Sequence, residues 1–163
     1  MALSDHTKNR YRRVIRTSMI TLAVFLLVVA MAIPIANNAI ALAEEKRLKS
    51  LPLPDGADLI SSVSAAGNLT DVTRNMQYYG AILIRSDLPK DEISAHYNQY
   101  RERAFDCIVE DAEGARDTLS TLDLSDIDAA FSADAVQDNW YLVYSWGTPP
   151  EWLTDILNLD SRV

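Results

Sequence analysis

The sequence predicts an α+β protein: one N-terminal transmembrane helix, then a small antiparallel sheet covered by one main helix and a short C-terminal helix. Three observations carry this prediction. Residues Thr17–Ala36 (TSMITLAVFLLVVAMAIPIA) hold no charged side chain, and about 20 residues rising ~1.5 Å each span the roughly 30 Å hydrocarbon core of a bilayer. Two runs rich in aromatic and branched residues, Met76–Ile84 (MQYYGAILI) and Trp140–Trp146 (WYLVYSW), read as strands. Between them, Ser86–Glu92 (SDLPKDE) sets a capping residue, an early proline and first-turn acids ahead of an apolar-periodic stretch, which is how a helix starts. Strand and helix do not alternate strictly, which argues against a doubly wound parallel sheet.

The apolar run divides the chain into a cytoplasmic basic tail (1–16), a transmembrane signal-anchor helix (17–43), a juxtamembrane helix end with a proline-rich spacer (44–57) and an extracytoplasmic α+β domain (58–163). Its apolar character goes all round, unlike the amphipathic stripe of a soluble core helix. Lys8, Arg10, Arg12, Arg13 and Arg16 precede it, whereas Lys46, Arg47 and Lys49 beyond it are offset by Glu44 and Glu45. Basic residues resist translocation, so Met1 is expected inside and everything after Glu44 outside. Ala41-Leu42-Ala43 fits the small-x-small pattern of a signal-peptidase site, with the helix breaker Pro34 ahead of it. Cleavage there would secrete a domain starting at Glu44. The run exceeds the ~7–15 residues of a typical signal core, which favours an uncleaved anchor. Asn37 and Asn38 are expected in the headgroup zone, where polar residues cost little.

Past the membrane segment, Glu44–Lys49 continues the helix for a turn or two, and Leu51-Pro52-Leu53-Pro54-Asp55-Gly56 ends it in a stiff spacer. Asp58–Ala65 suits a strand. In the Met76–Ile84 strand, Gly80 marks a bulge or a close backbone approach. The helix after Pro89 is expected to run to about Arg103, with Ile93, Tyr97, Tyr100 and Ala104 on its buried face. Phe105–Val109 reads as a strand, Glu110–Gly114 as a turn and Ala115–Thr121 as a hairpin partner. Leu122–Asp138 is acidic and reads as a loop with a helical turn, and Gly147-Thr148-Pro149-Pro150 opens a short helix to about Leu159.

Charge and composition exclude several activities. From Glu44 onward there are 22 acidic and 10 basic residues, a net charge of −12, so phosphate backbones are repelled and nucleic acid is a poor partner. Walker, GxGxxG, HExxH, CxxC and GxSxG patterns are absent from the sequence. Cys107, the single cysteine, cannot form an intrachain disulfide and sits in an apolar run as a buried thiol would. A His96–Cys107 nucleophilic pair is conceivable, but His96 beside Tyr97 reads as a packing histidine. One His and one Cys make a poor zinc site. The acids Asp123, Asp126, Asp128, Asp134 and Asp138 lack the turning glycine of a calcium loop. Asn68-Leu69-Thr70 matches a glycosylation sequon, usable only in a eukaryotic secretory host. The domain is rich in aromatics, and Tyr78, Tyr79, Trp140, Tyr144 and Trp146 are the candidates for an exposed binding surface if the strands alternate inward and outward.

The stretches LPLPDGADLISSVSAAGN, NMQYYGAILIRSDLPKDEISAHYNQYR, DCIVE and YLVYSWG together resemble small uncharacterised membrane-anchored (or exported) proteins of Gram-positive bacteria. The likeness spans most of the exported domain and implies compartment and architecture, with no activity and no functional residue to transfer. The expectation is therefore a single-pass, cell-membrane-anchored, extracytoplasmic binding domain without cofactor or metal. Its partner would be an envelope protein or a cell-wall component. A cleaved, secreted binding protein and a small envelope enzyme using His96 are the alternatives.

Overall fold

Asp5–Ser50 forms one helix, α1, of 46 residues, ~69 Å end to end. The computed structural model describes residues 5–70, 76–101, 105–122, 124 and 127–149. The first half of α1 is an apolar rod: large side chains from Val14 to Ile35 stand exposed around it. It is long and apolar enough to be a membrane span or a signal sequence. Within it the hydroxyls of Thr17 and Thr21 donate to the carbonyls of Arg13 and Thr17, both at 3.0 Å, so the helix absorbs its own polar groups. Pro34 lies inside the helix without ending it.

Among the described residues four strands form one antiparallel sheet in the order β1-β2-β4-β3. They are β1 (Asp58–Gly67), β2 (Gln77–Arg85), β3 (Ile108–Glu110) and β4 (Trp140–Gly147). In β1 the register shifts between Leu59 and Ser61. Two further helices complete the fold, α2 (Lys90–Asn98) and α3 (Ala112–Leu122), with short 3-10 turns at Ala129–Phe131 and Ala133–Ala135.

Both faces of the sheet are covered, where the sequence predicted one. On one face Ile82, Ile84, Val109 and Val143 pack with Ile93 and Tyr97 of α2, and with Leu48 of α1. On the other, Val63, Tyr79, Leu83, Leu142 and Tyr144 pack with Ala115 and Leu119 of α3 and with Phe131. This is why β2 is buried along nearly its whole length rather than alternately.

Three local expectations are corrected. Ala115–Thr121 belongs to a helix, because Ala112, Ala115, Leu119 and Leu122 recur at helical spacing and are its buried residues. Asp111 starts that helix, its carboxylate accepting from Gly114 N at 3.1 Å. α2 ends at Asn98, short of Arg103, with i→i+3 bonds from Tyr100 N to Tyr97 O and Arg101 N to Asn98 O closing the turn. The strand foreseen from Phe105 pairs only over Ile108–Glu110. Ala104 and the expected C-terminal helix beyond Pro149, Trp152 included, lie outside the described residues.

The spacer is no free linker. Leu51 and Leu53 pack against the α2-side core, and Pro54 is buried. The Asp55-Gly56 turn forms as its composition requires, Gly56 taking a left-handed φ of 75°.

Candidate functional site

The most constrained locus is where α1 leaves its apolar half and crosses the sheet. Asn37 meets Tyr78, Glu44 and Glu45 meet Gly80, and Leu48 shares a core with Ile82 and Ile84. Ascending α1 thus means ascending β2: the helix runs along the strands, and the Gly67/Gln77 end of the sheet lies toward the apolar rod.

Each contact at this junction has its own chemistry. Leu48 is fully buried. Asn37 is buried too, and its Oδ1 accepts from the Tyr78 hydroxyl at 2.7 Å, so this end of the helix packs on the domain. Ser62 Oγ donates to Glu45 Oε1 at 2.7 Å, and Ser145 Oγ to Glu44 Oε2 at 3.3 Å. Gly80 is the close approach that its sequence suggested: a Cβ there would lie 2.4 Å from Glu45 N and 2.7 Å from Glu44 C. Arg47 stacks on Phe105, 4.0 Å from the ring centroid. Sequence reasoning missed these residues of α1. Asn37, Ala41, Glu44 and Leu48 do recur at helical spacing, but the apolar run before them masks the stripe.

The aromatic surface does not form as expected. Tyr78, Tyr79 and Tyr144 are core residues, and Trp140 and Trp146 are half-buried. With helices on both faces, alternation along a strand sends side chains into one core or the other. Tyr79 packs at 4.9 Å from Trp146 and 5.5 Å from Tyr144, centroid to centroid. Its hydroxyl, that of Tyr97 and the Trp140 indole N–H are buried with no hydrogen-bond partner among the described residues. Burial drives both tyrosine pKa values up.

The residues considered for chemistry are engaged structurally. Burial, with Asp106 nearby, pushes the Cys107 thiol up to about 11. A ring nitrogen of His96 lies 2.8 Å from the Pro52 carbonyl, and the ring stacks edge-on with Tyr97 and Tyr100. Asp128 accepts from Ser61 Oγ and from Ala130 N, which caps the first 3-10 turn and lowers its pKa, the Ser61 bond being the larger cause. Asp138 pairs with Arg116 at 3.0 Å. Asp123 and Asp126 lie outside the described residues, and among those described no group of three or more His, Cys, Asp or Glu side chains is placed to hold a metal. Arg13 and Arg16 are exposed, while the side chains of Arg10 and Arg12 lie outside those described. Ala41 is buried against the sheet and Ala43 is exposed, both within helix.

Two cavities flank the sheet. One, of about 670 Å³, is polar, and in it Lys90 reaches Glu110 at 2.9 Å and Asp111 at 3.6 Å. The other, a groove of about 480 Å³, lies over the outer strand β1. Ala41 and Leu42 of α1 wall one side, Leu124 and Ile127 the other, with Ala65 and Ala66 between; none of its lining residues is charged.

No family model, curated protein or solved structure matches this chain.

Proposed function

We propose that this chain is a single-pass membrane protein, N-terminus in the cytoplasm, whose α+β domain stands outside the membrane as a binding domain. The observation that carries the reading is the unbroken passage of α1 from its exposed apolar rod into the domain core at Leu48. An apolar rod exposed on all sides is costly in water and at home in lipid, and the five basic residues before it favour an inside N-terminus.

Packing of the junction supports an anchor over a cleaved signal. Cutting after Ala43 would strip Asn37 and Ala41 from the sheet and leave Leu48 close to a fraying helix end. A protonated, buried Cys107 and a His96 turned to the Pro52 carbonyl support binding over nucleophilic catalysis. The ligand class we infer is an envelope protein or a cell-wall component, the acidic domain favouring basic groups on it.

The test is the mature N-terminus, read by mass spectrometry from separated membrane and medium fractions, together with protease digestion of intact cells. An intact start in the membrane, with the domain digested from outside, is expected. A start at Glu44 in the medium, or a domain protected in intact cells, would overturn the reading.

A further inference from the structure

We infer that the groove over β1 takes a hydrocarbon chain of a lipid from the adjoining leaflet, an inference that rests on the membrane reading above. The first ground is position. Asn38 and Leu42 line the groove. They stand only ~3 and ~9 Å along the helix beyond Ala36, the end of the apolar run. A headgroup layer is about 5–7 Å deep, so the groove begins within it.

The second ground is continuity. Met31, Ile35, Asn38 and Leu42 follow one another at four, three and four residues, on one face of α1. Met31 and Ile35 are 60% and 65% exposed in the apolar rod, and Leu42 is 39% exposed at the groove. The face that lipid would cover therefore leads, past the single polar residue Asn38, into the groove wall.

The third ground is chemistry. In a chain that carries 22 acids from Glu44 onward, a groove of about 480 Å³ has no charged lining residue and presents Leu42 and the 58%-exposed Ile127 at its rim. Asn38 and Ser64 are its polar lining residues, and an uncharged, partly apolar groove of this size is a binding surface rather than a neutral one.

An extended peptide added to the edge of β1 is the competing occupant. A second copy is disfavoured by geometry: antiparallel pairing of two β1 edges turns one α1 over relative to the other, and both could not then cross one bilayer in the same sense.

The test uses the full chain in vesicles containing a phospholipid with a photoactivatable diazirine near the end of one acyl chain. Adducts are expected on residues 14–35 and also on Leu42, Leu124 or Ile127. The double variant Leu42→Gln/Ile127→Gln changes two exposed side chains, so it keeps the fold. It should lose groove adducts roughly tenfold while leaving those on 14–35 unchanged. Adducts confined to 14–35 would overturn the groove and leave the membrane reading standing; adducts on neither would overturn both. Native mass spectrometry of protein purified from its own membranes separates the occupants. A retained phospholipid mass is expected, and a retained polypeptide or a second copy would assign the groove elsewhere.

Discussion

Substituting Gly80 by alanine tests whether α1 is docked on the sheet or merely tethered to it. The new Cβ would fall 2.4 Å from Glu45 N and 2.7 Å from Glu44 C, against the ~3.5 Å at which such atoms rest. Both contacts are backbone, so no rotamer change relieves them. Helix and strand must part by about 1 Å along a packed interface, and overpacking of this kind costs ~1–3 kcal/mol. The cost belongs at the upper end, since Leu48 and the Tyr78–Asn37 bond move with the helix. For a domain of this size ~3 kcal/mol lowers the melting temperature by roughly 10 °C. Without the docked helix the sign reverses: glycine inside a strand is ~0.5–1 kcal/mol worse than alanine. Gly147→Ala is the internal comparison. Its Cβ meets the Glu44 side chain at 2.8 Å and Tyr78 Cβ at 3.1 Å, and Glu44 can swing away, so about 1 kcal/mol is expected. The assay is thermal unfolding of the full chain in mild detergent, followed by near-ultraviolet circular dichroism. A Gly80→Ala protein as stable as the parent, or a Gly147→Ala protein that is the worse of the two, would refute the docked helix.

Other perturbations probe the same junction and its surroundings. Leu48→Ala removes a fully buried side chain and should cost ~2–5 kcal/mol in the same melt. Tyr78→Phe removes the donor to Asn37 Oδ1 and should cost ~1–3 kcal/mol; a loss below the error of the measurement would remove that bond from the junction's energetics. Cys107, with its thiol raised to about 11 from 9.0, should react slowly with iodoacetamide at neutral pH and quickly once unfolded. A raised folded pKa favours the neutral thiol, so its contribution to stability holds below pH 9 and is lost as pH climbs toward 11. Fast native labelling at pH 7.5 would contradict the burial. Asp128 has a depressed pKa, chiefly through Ser61. Its contribution is present above about pH 4 and lost as pH falls through the folded value. Ser61→Ala should flatten that acid limb of the stability profile, and an unchanged limb would assign it to other carboxylates.

What could be read from the sequence followed local physics, and what could not depended on which element lay opposite. The strands β1, β2 and β4 were legible because branched and aromatic residues in short runs have few other uses, and the Ser86–Glu92 start of α2 because proline and acids mark helix entry. A turn at Glu110–Gly114 followed by a hairpin strand was the expectation for α3, although Ala112, Ala115, Leu119 and Leu122 carry a helical period. The aromatic surface failed for a different reason. Exposure of Tyr78, Tyr79 and Tyr144 depends on what covers each face of the sheet: α1 covers Tyr78 on one face, and α3 covers Tyr79 and Tyr144 on the other. The role of Leu48 was hidden because a helix crossing a bilayer and a helix packing on a sheet share one apolar vocabulary. Only Gly80, lacking a side chain in the middle of a strong strand, signalled that another backbone would arrive there.

That arrival sets the domain's orientation. A span joined to its domain by a flexible linker leaves every surface free to face a partner. Here the helix axis lies along the strands, fastened at Asn37, Glu44, Glu45 and Leu48 over three turns. If the rod of α1 stands in a bilayer, the Gly67/Gln77 end of the sheet faces the lipid. At that end Gln77 Oε1 takes the Leu69 and Thr70 N–H groups, at 2.8 and 2.9 Å, and so ties the strand entry down. The opposite end carries the Asp55-Gly56 turn and the Asp58–Arg85 ion pair at 2.6 Å, and on that reading it would point away from the membrane. A neighbour in the same bilayer would therefore meet the flanks, β1 with its groove on one side and β3 with the Lys90–Glu110 pair on the other. A wall component would meet the distal rim. Partner class and surface are thus coupled through the direction of one helix.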